Sequence, residues 1–309
     1  MNRPILAAYD PKTQDPGPAR FALAAGRFSG APVIVMSACS TSVTDAYPKP
    51  ADEDLLPRAD QELEALGAKL DTDDVAVEYR TVHGPSAPSA LNHAAEREDA
   101  LLLVVGSTAR GAAGRVFPGS TADRLMHGAP CPIAVVPHGW TDDGPPRTIG
   151  VAYLDTNEGR NALRTAHGLA RRAGATLRVI TVADPGLGAN VETETYRPGQ
   201  HGTSLEDVEG EHRVRTENAV REAVAGLGDD IPVEVDTFLE DPAEVLIRIS
   251  EHLDLLVCGS RGYGPLRAVL LGGVTRRVTS GAHCPVIVVP RGLEMTEGSD
   301  GRLEPAVSA

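Results

Sequence analysis

Short apolar runs alternate with longer amphipathic segments from the start of the chain. Residues 5–9, 33–38, 101–105 and 133–136 are apolar without polar alternation, which is typical of strands that are covered on both faces. Residues 74–81 predict one further strand, and segments with helical periodicity separate the five. This order of elements predicts an α/β domain with a parallel, doubly wound sheet.

The same pattern begins again at residue 149, and the sequence itself repeats. GAPCPIAVVPHG at 128–139 is nearly identical to GAHCPVIVVPRG at 281–292. We therefore predict a tandem duplication of one domain. The predicted divisions are a first domain at 1–139, a linker at 140–146, a second domain at 147–292 and a disordered tail at 293–309.

A glycine-rich segment follows the fourth predicted strand of each half. Its glycines include Gly106 and Gly119 in the first half, and Gly259, Gly262, Gly272 and Gly273 in the second. A loop that leaves a parallel strand and enters a helix can hold phosphate against its backbone N–H groups. Glycine spacing alone does not identify the ligand.

Composition narrows the class of protein. The chain has 309 residues, of which 41% are hydrophobic and 23% are charged, and its net charge is −14. That length suits two globular domains, and the acidic balance disfavours binding to nucleic acid or to an anionic membrane. No apolar run approaches the roughly 18 residues of a membrane span. We therefore expect a cytoplasmic protein.

Motifs for catalysis or metal binding are missing from the sequence. The four cysteines have no CxxC spacing, and the nine histidines include no HExxH pair. Neither a GxSxG elbow nor a GxxxxGK[ST] phosphate loop is present. We therefore predict no catalytic residue and no metal site.

The glycine segments resemble those of the universal stress protein (UspA-like) family, in which two residues separate the first two glycines and nine separate the second from the third. Ser or Thr follows, and then an apolar last strand. Gly259, Gly262 and Gly272 match this pattern, whereas Gly273 stands at the Ser/Thr position, with Thr275 close by. The first half matches at Gly106, Gly119, Ser120 and Thr121, and Ala109 replaces its second glycine.

The resemblance implies a Rossmann-like fold of the adenine-nucleotide alpha-hydrolase type, with two five-stranded sheets of strand order 3-2-1-4-5. It also implies ATP, with or without Mg²⁺, at the carboxyl ends of strands 1 and 4. That position agrees with the rule that ligands bind open α/β sheets at the topological switch point.

Site residues follow from the same resemblance. Asp10 matches the acid that binds ribose, and the second half has Leu154 there, with Asp155 one residue later. Adenine would lie near Ala38 and Val182, and the glycines and hydroxyls would hold the triphosphate. The candidate set is Asp10, Ala38, Gly106, Ala109, Gly119, Ser120, Thr121, Asp155, Val182, Gly259, Gly262, Gly272, Gly273 and Thr275. Each half departs from the family pattern at a different place, so one half, both halves or neither could bind the nucleotide.

The resemblance favours an ATP-binding regulatory protein of the stress response without rapid turnover. Two alternatives remain open at this point: a nucleotide-free scaffold that acts by dimerisation, and a slow ATP hydrolase. In relatives, single domains pair through their last strands, because an open sheet edge is a hazard unless it is paired. We expect the two halves to pair in this way within one chain, and whole chains could form a homodimer in addition.

Overall fold

The computed structural model describes the backbone of residues 3–40, 55–108, 114–183, 205–260, 272–290, 293–297 and 303–307. Side chains are described in residues 3–40, 58–108, 114–183, 214–260 and 272–290.

The first half alternates strands and helices as the hydrophobic pattern predicts. In chain order its elements are β1 (Ile5–Tyr9), α1 (Gly17–Ser29), β2 (Val33–Ser40), α2 (Leu55–Gly67), β3 (Val77–Gly84), α3 (Ala87–Arg97), β4 (Leu102–Gly106), α4 (Ser120–Leu125) and β5 (Ile133–Val136).

The second half repeats this order. Its elements are β6 (Thr148–Tyr153), α5 (Asn157–Ala173), β7 (Thr176–Ala183), α6 (Leu205–Ala225), β8 (Val233–Leu239), α7 (Pro242–Ile249), a short 3₁₀ turn (Ser250–His252), β9 (Leu255–Gly259), α8 (Gly273–Val278) and β10 (Val286–Val289). No helix in the described part of the chain is long and apolar enough to span a membrane.

All ten of these strands form one sheet, in the order β3-β2-β1-β4-β5-β10-β9-β6-β7-β8. Within each half the pairing is parallel, and β5 and β10 meet antiparallel at the centre, with Val135 opposite Val286. The α/β doubly wound fold is confirmed. The two halves share a continuous sheet, however, because the last strand of each covers the open edge of the other.

The hydrophobic core lies on both faces of this sheet, and each face includes residues from both halves. One face buries Ile5 and Val104 of the first half with Val151 and Val257 of the second. Helices α1 and α5 cover this face, and each ends at a left-handed glycine, Gly30 or Gly174, as helix C-termini commonly do. The halves are therefore held together by a shared core as well as by backbone pairing.

The third strand begins later than the sequence predicts. Residues 74–81 were expected to form it, but β3 starts at Val77 and ends at Gly84. Asp74 instead accepts a hydrogen bond at 3.0 Å from Nε of Arg27 on α1, and the N–H of Val75 closes a turn on Thr72. These bonds hold residues 72–75 in a turn that precedes the strand.

The prediction of a disordered tail is wrong for two segments. β11 (Leu293–Glu297) and β12 (Leu303–Val307) pair antiparallel, with Leu293 opposite Val307, and β11 packs against α5. The two segments instead satisfy each other's backbone hydrogen-bonding groups.

Candidate functional site

A cleft of about 580 Å³ opens at the carboxyl ends of β1, β2 and β4 in the first half. The structure brings together around it the predicted residues Asp10, Ala38, Gly106, Gly119, Ser120 and Thr121. We call it the first-half cleft. The parallel order β2-β1-β4 explains the convergence, because residues far apart in sequence meet where these strands end.

Asp10 follows β1 directly and organises the connection to α1. Its Oδ1 accepts a hydrogen bond from the N–H of Lys12 at 2.9 Å, and its carbonyl accepts from the N–H groups of Thr13 and Gln14 at 3.1 and 3.0 Å. The side chain is exposed and lines the cleft. These hydrogen bonds close a turn at Asp10 and thereby hold its carboxylate at the rim of the cleft.

A second carboxylate, that of Asp15, fixes the wall of the cleft. Asp15 is buried, and its oxygens accept hydrogen bonds from the N–H of Gly17 at 2.9 Å and of Gly139 at 3.2 Å. Nδ1 of His138 lies 3.0 Å from the same carboxylate. These contacts tie the loop at 10–16 to the residues that follow β5. The sequence analysis missed Asp15, because its partners at 138 and 139 become neighbours only in the folded sheet.

Close packing explains both glycines of the first-half cleft. A Cβ at Gly106 would lie 3.1 Å from Cγ of Pro18, and one at Gly119 would lie 2.7 Å from Cγ2 of Thr108. Gly119 has φ −76°, which any residue can adopt. The glycines are therefore needed for space rather than for backbone conformation, and they let the β4 end and the α4 entrance approach each other.

The sequence analysis did not select several polar residues that line the cleft, among them Ser37, Cys39 and Arg58. Ser37 is 1% exposed, and its hydroxyl has no hydrogen-bond partner in the structure. Burial, and secondarily the carboxylate of Asp60, raises the pKa of the Cys39 thiol. A polar break in the apolar run of β2 is a signal that could have identified Ser37, whereas nothing local marks Arg58.

The equivalent elements of the second half form a different opening at the carboxyl ends of β6 and β9, which we call the second mouth. Its connection from β6 to α5, residues 154–156, is shorter than the loop at 10–16. Leu154 takes the place of Asp10 and is 61% exposed. The Asp155 carboxylate accepts hydrogen bonds from Nη2 of Arg160 at 2.6 Å and from the Tyr153 hydroxyl at 3.2 Å. The acid one residue later is thus paired within its own loop.

The glycine end of the second mouth is also closed in by α5. A Cβ at Gly259 would lie 2.9 Å from the carbonyl oxygen of Glu158, which is backbone and cannot move aside. Gly272 is buried as the N-cap of α8, and Gly273 is exposed with open space around it. Thr275 is buried, and its hydroxyl donates to the Gly259 carbonyl at 3.2 Å. It therefore does not replace the hydroxyl that Gly273 lacks.

The remaining candidates can be placed only in part. Val182 is half-buried near the end of β7, in the position that Ala38 holds in β2. Ala109 and Gly262 lie outside the described residues. Among the candidates that are described, the first-half residues converge on one open cleft.

Comparison with known proteins identifies the family. The model of the universal stress protein family matches residues 1–137 and 146–290. A universal stress protein of Mycobacterium tuberculosis is 27% identical over 228 residues, which cover 71% of this chain and 74% of the relative. A second one from that organism is 28% identical over 235 residues and covers 73% and 72%.

A solved structure with the same architecture is the universal stress protein from Archaeoglobus fulgidus. It superposes with a TM-score of 0.59 over 94% of this chain and 98% of its own, at 18% sequence identity. At that identity the likeness supports the fold, and the two matched regions carry the family assignment. The chain therefore belongs to the universal stress protein family and carries two copies of the family's domain in tandem.

Proposed function

We propose that the chain binds ATP, or a closely related adenine nucleotide, in the first-half cleft and acts as a regulatory protein of the stress response. The observation that carries the proposal is the convergence of Asp10, Gly106, Gly119 and Ser120 around one cleft of about 580 Å³. That volume lies within the range of roughly 300–1,000 Å³ that is usual for small-molecule sites.

Each part of the nucleotide has a matching group. The exposed carboxylate of Asp10 can accept hydrogen bonds from the ribose hydroxyls. Adenine would lie beside Ala38, at the end of β2.

The phosphates would lie at the other side of the cleft, against the backbone from Gly119 to Thr121. Positive charge comes from two exposed cations that line the cleft, Lys12 and Arg58. The described residues contain no cluster of three or more metal-ligating side chains. Mg²⁺ would therefore enter with the triphosphate and be held mainly by phosphate oxygens and water.

The second mouth is assigned no nucleotide in this proposal. Leu154 supplies no acceptor for ribose, and Asp155 already pairs with Arg160 and Tyr153. Recruiting that carboxylate would break a charge-assisted hydrogen bond, which is stronger than a neutral one. The proposal therefore predicts one nucleotide for each chain.

Regulation is favoured over catalysis because the cleft offers no activated nucleophile among the described residues. The buried Ser107 lines the cleft, but its Oγ accepts a hydrogen bond from the backbone N–H of His138 at 2.8 Å and not from the imidazole ring. A serine nucleophile needs a base within hydrogen-bond reach of its hydroxyl. Signalling would then depend on whether the cleft is filled.

We propose that the protein is located in the cytosol, because all four cysteines are free thiols and the cytosol keeps thiols reduced. Homodimerisation remains part of the proposal. The last strands β5 and β10 already pair with each other, so association of whole chains would have to use another surface. The outer strands β3 and β8 are the two ends of the ten-stranded sheet.

Thiol labelling tests the proposed site directly. Cys39 lines the cleft and is partly exposed, whereas Cys131, Cys258 and Cys284 are only 2%, 2% and 1% exposed. Bound ATP should shield Cys39, so we expect ATP to slow its alkylation by N-ethylmaleimide at least about fivefold at saturation. Mass spectrometry of the labelled peptide measures the rate.

The pH and the control variant follow from the thiol chemistry. Since the pKa of Cys39 is raised, its thiolate fraction is small at neutral pH and grows as the pH rises, and labelling is best followed at about pH 8. A Cys39→Ser variant should show no rapid labelling in the folded state. If saturating ATP leaves the Cys39 rate unchanged, the nucleotide does not lie in this cleft.

A further inference from the structure

The glycine segment of the first half reaches the second half at Val116. The backbone N–H of Val116 donates a hydrogen bond to the carbonyl of Ala282 at 2.7 Å. Val116 is 0% exposed, and it belongs to the same core cluster as Val278, Ala282 and Cys284 of the second half. A residue of the first half is therefore buried in a core that the second half helps to form.

Short steps along the chain connect Val116 to the first-half cleft. Thr108 and Gly119 both line the cleft. The N–H of Thr108 donates to the carbonyl of Phe117 at 2.8 Å, and the Thr108 side chain packs on Gly119. Three residues span at most about 11 Å, so the anchor at Val116 lies close to the glycine that begins the proposed phosphate site.

The part of the second half that receives Val116 is itself firmly held. The N–H of Ala282 donates to the carbonyl of Val278 at 2.9 Å, and the N–H of His283 donates to Oγ of Ser250 at 2.9 Å. Ser250 is 1% exposed and donates in turn to the carbonyl of Ile247 at 2.6 Å. The carbonyl of Ala282 is therefore a fixed acceptor for the incoming segment.

An anchor of this kind affects how tightly a ligand can bind. Glycine loses more conformational freedom on ordering than any other residue, so a glycine-rich segment is costly to fix in one conformation. Burial of Val116 fixes the end of the segment before a ligand arrives. Preorganisation raises affinity because less of the ordering cost is left for the binding step.

We infer that the second half acts as a support that holds the glycine segment of the first half in its phosphate-binding position. Val116 and Ala282 are positioning residues, because neither of them lines the cleft. This role rests on the proposed function, since it concerns the ATP that we assign to the first-half cleft. It gives the second half, to which no nucleotide is assigned, a part in binding the nucleotide of the first.

A substitution in the second half tests this support. Ala282→Val adds two carbon atoms at a position that is 0% exposed, and such overpacking should displace Val116. A site that is correctly formed in only a fraction of the molecules binds with a correspondingly lower apparent affinity. We therefore expect equilibrium dialysis of the full chain to show ATP binding weakened at least about fivefold.

Ala170→Val is the matched control. Ala170 is also 0% exposed and lies in the second half, but it belongs to the core cluster on the opposite face of the sheet from Val116. The added atoms should lower stability there while ATP affinity stays within about twofold of the wild type. Urea unfolding of both variants shows that their losses of stability are comparable.

Adenosine separates positioning of the phosphates from a general loss of structure. It has no phosphates, so Ala282→Val should leave adenosine affinity within about twofold of the wild type while ATP affinity falls. Val116→Asn places an unpaired, uncharged amide in the apolar contact and should show the same difference. Its control is Phe117→Asn, which should bind ATP as the wild type does, because Phe117 is 45% exposed and outside the cleft lining. Equal losses for ATP and adenosine would overturn the positioning role.

Trypsin tests the docking of Val116 without any nucleotide. Arg115 is exposed and directly precedes Val116, so cleavage after Arg115 requires Val116 to leave its contact. Mass spectrometry should show this cut at least about fivefold faster in Ala282→Val than in the wild type or in Ala170→Val. Equal rates in the three proteins would overturn the support by the second half. Faster cleavage of Ala282→Val, together with no saturable ATP binding to the wild type, would instead overturn the proposed function and leave the docking in place.

Discussion

Replacing Asp10 with Asn is expected to weaken ATP binding by about 10- to 150-fold. A hydrogen bond to a charged acceptor contributes about 1.5–3 kcal/mol, and the amide keeps the shape of the side chain while losing its charge. Equilibrium dialysis at fixed salt measures the change. Urea unfolding should be nearly unaffected, because Asp10 is exposed.

Asp155→Asn is the matched control in the second half. Its carboxylate pairs with Arg160 and Tyr153 rather than facing an open cleft, so ATP affinity should stay within about twofold of the wild type. Equal losses in the two variants would mean that the acids of both mouths serve the nucleotide. No loss in Asp10→Asn would remove Asp10 from the site.

Replacing Val286 with Glu is expected to lower the free energy of unfolding by about 4 kcal/mol or more, because an unpaired carboxylate is very costly in an apolar core. Val286 is 0% exposed at the central junction of the sheet, between Val135 of β5 and Leu256 of β9. Urea unfolding followed by circular dichroism measures the change. Since the core is shared, both halves should lose stability.

The same substitution at Val235 provides the comparison. Val235 lies on the outer strand β8 and is 47% exposed, so Val235→Glu should change stability by less than about 1 kcal/mol. If the two variants were equally stable, the central pairing of β5 with β10 would not be the junction that holds the halves together.

Much of the fold follows from the sequence because its strongest signals are local. Apolar runs such as 133–136 predict covered strands, and the repeat of that run at Val286–Val289 predicts the duplication. The start of β3 could not be predicted in this way. It depends on Arg27, which is distant in sequence and pairs with Asp74 in the turn that precedes the strand.

The residues of the candidate site also differ in whether the sequence alone could predict them. Gly106 and Ser120 could be chosen from the glycine motif, and Asp10 from the resemblance to the universal stress protein family. Asp15 and Arg58 could not, because their roles depend on which surfaces the folded sheet brings together.

The difference between the two mouths was only partly visible in the sequence. Leu154 in place of Asp10 was evident, but the outcome for Asp155 was not. The shortened connection at 154–156 brings Arg160 within 2.6 Å of that carboxylate, and places the carbonyl of Glu158 against Gly259. The length of this connection is thus one difference between the two halves in the described part of the chain.

Counting the bound nucleotides tests the central claim most directly. Equilibrium dialysis of the purified full chain against radiolabelled ATP should saturate at one nucleotide per chain, and Asp10→Asn should sharply reduce binding at the same ATP concentration. Saturation at two nucleotides per chain, or no saturable binding to the wild-type chain, would contradict the assignment of a single nucleotide site to the first-half cleft.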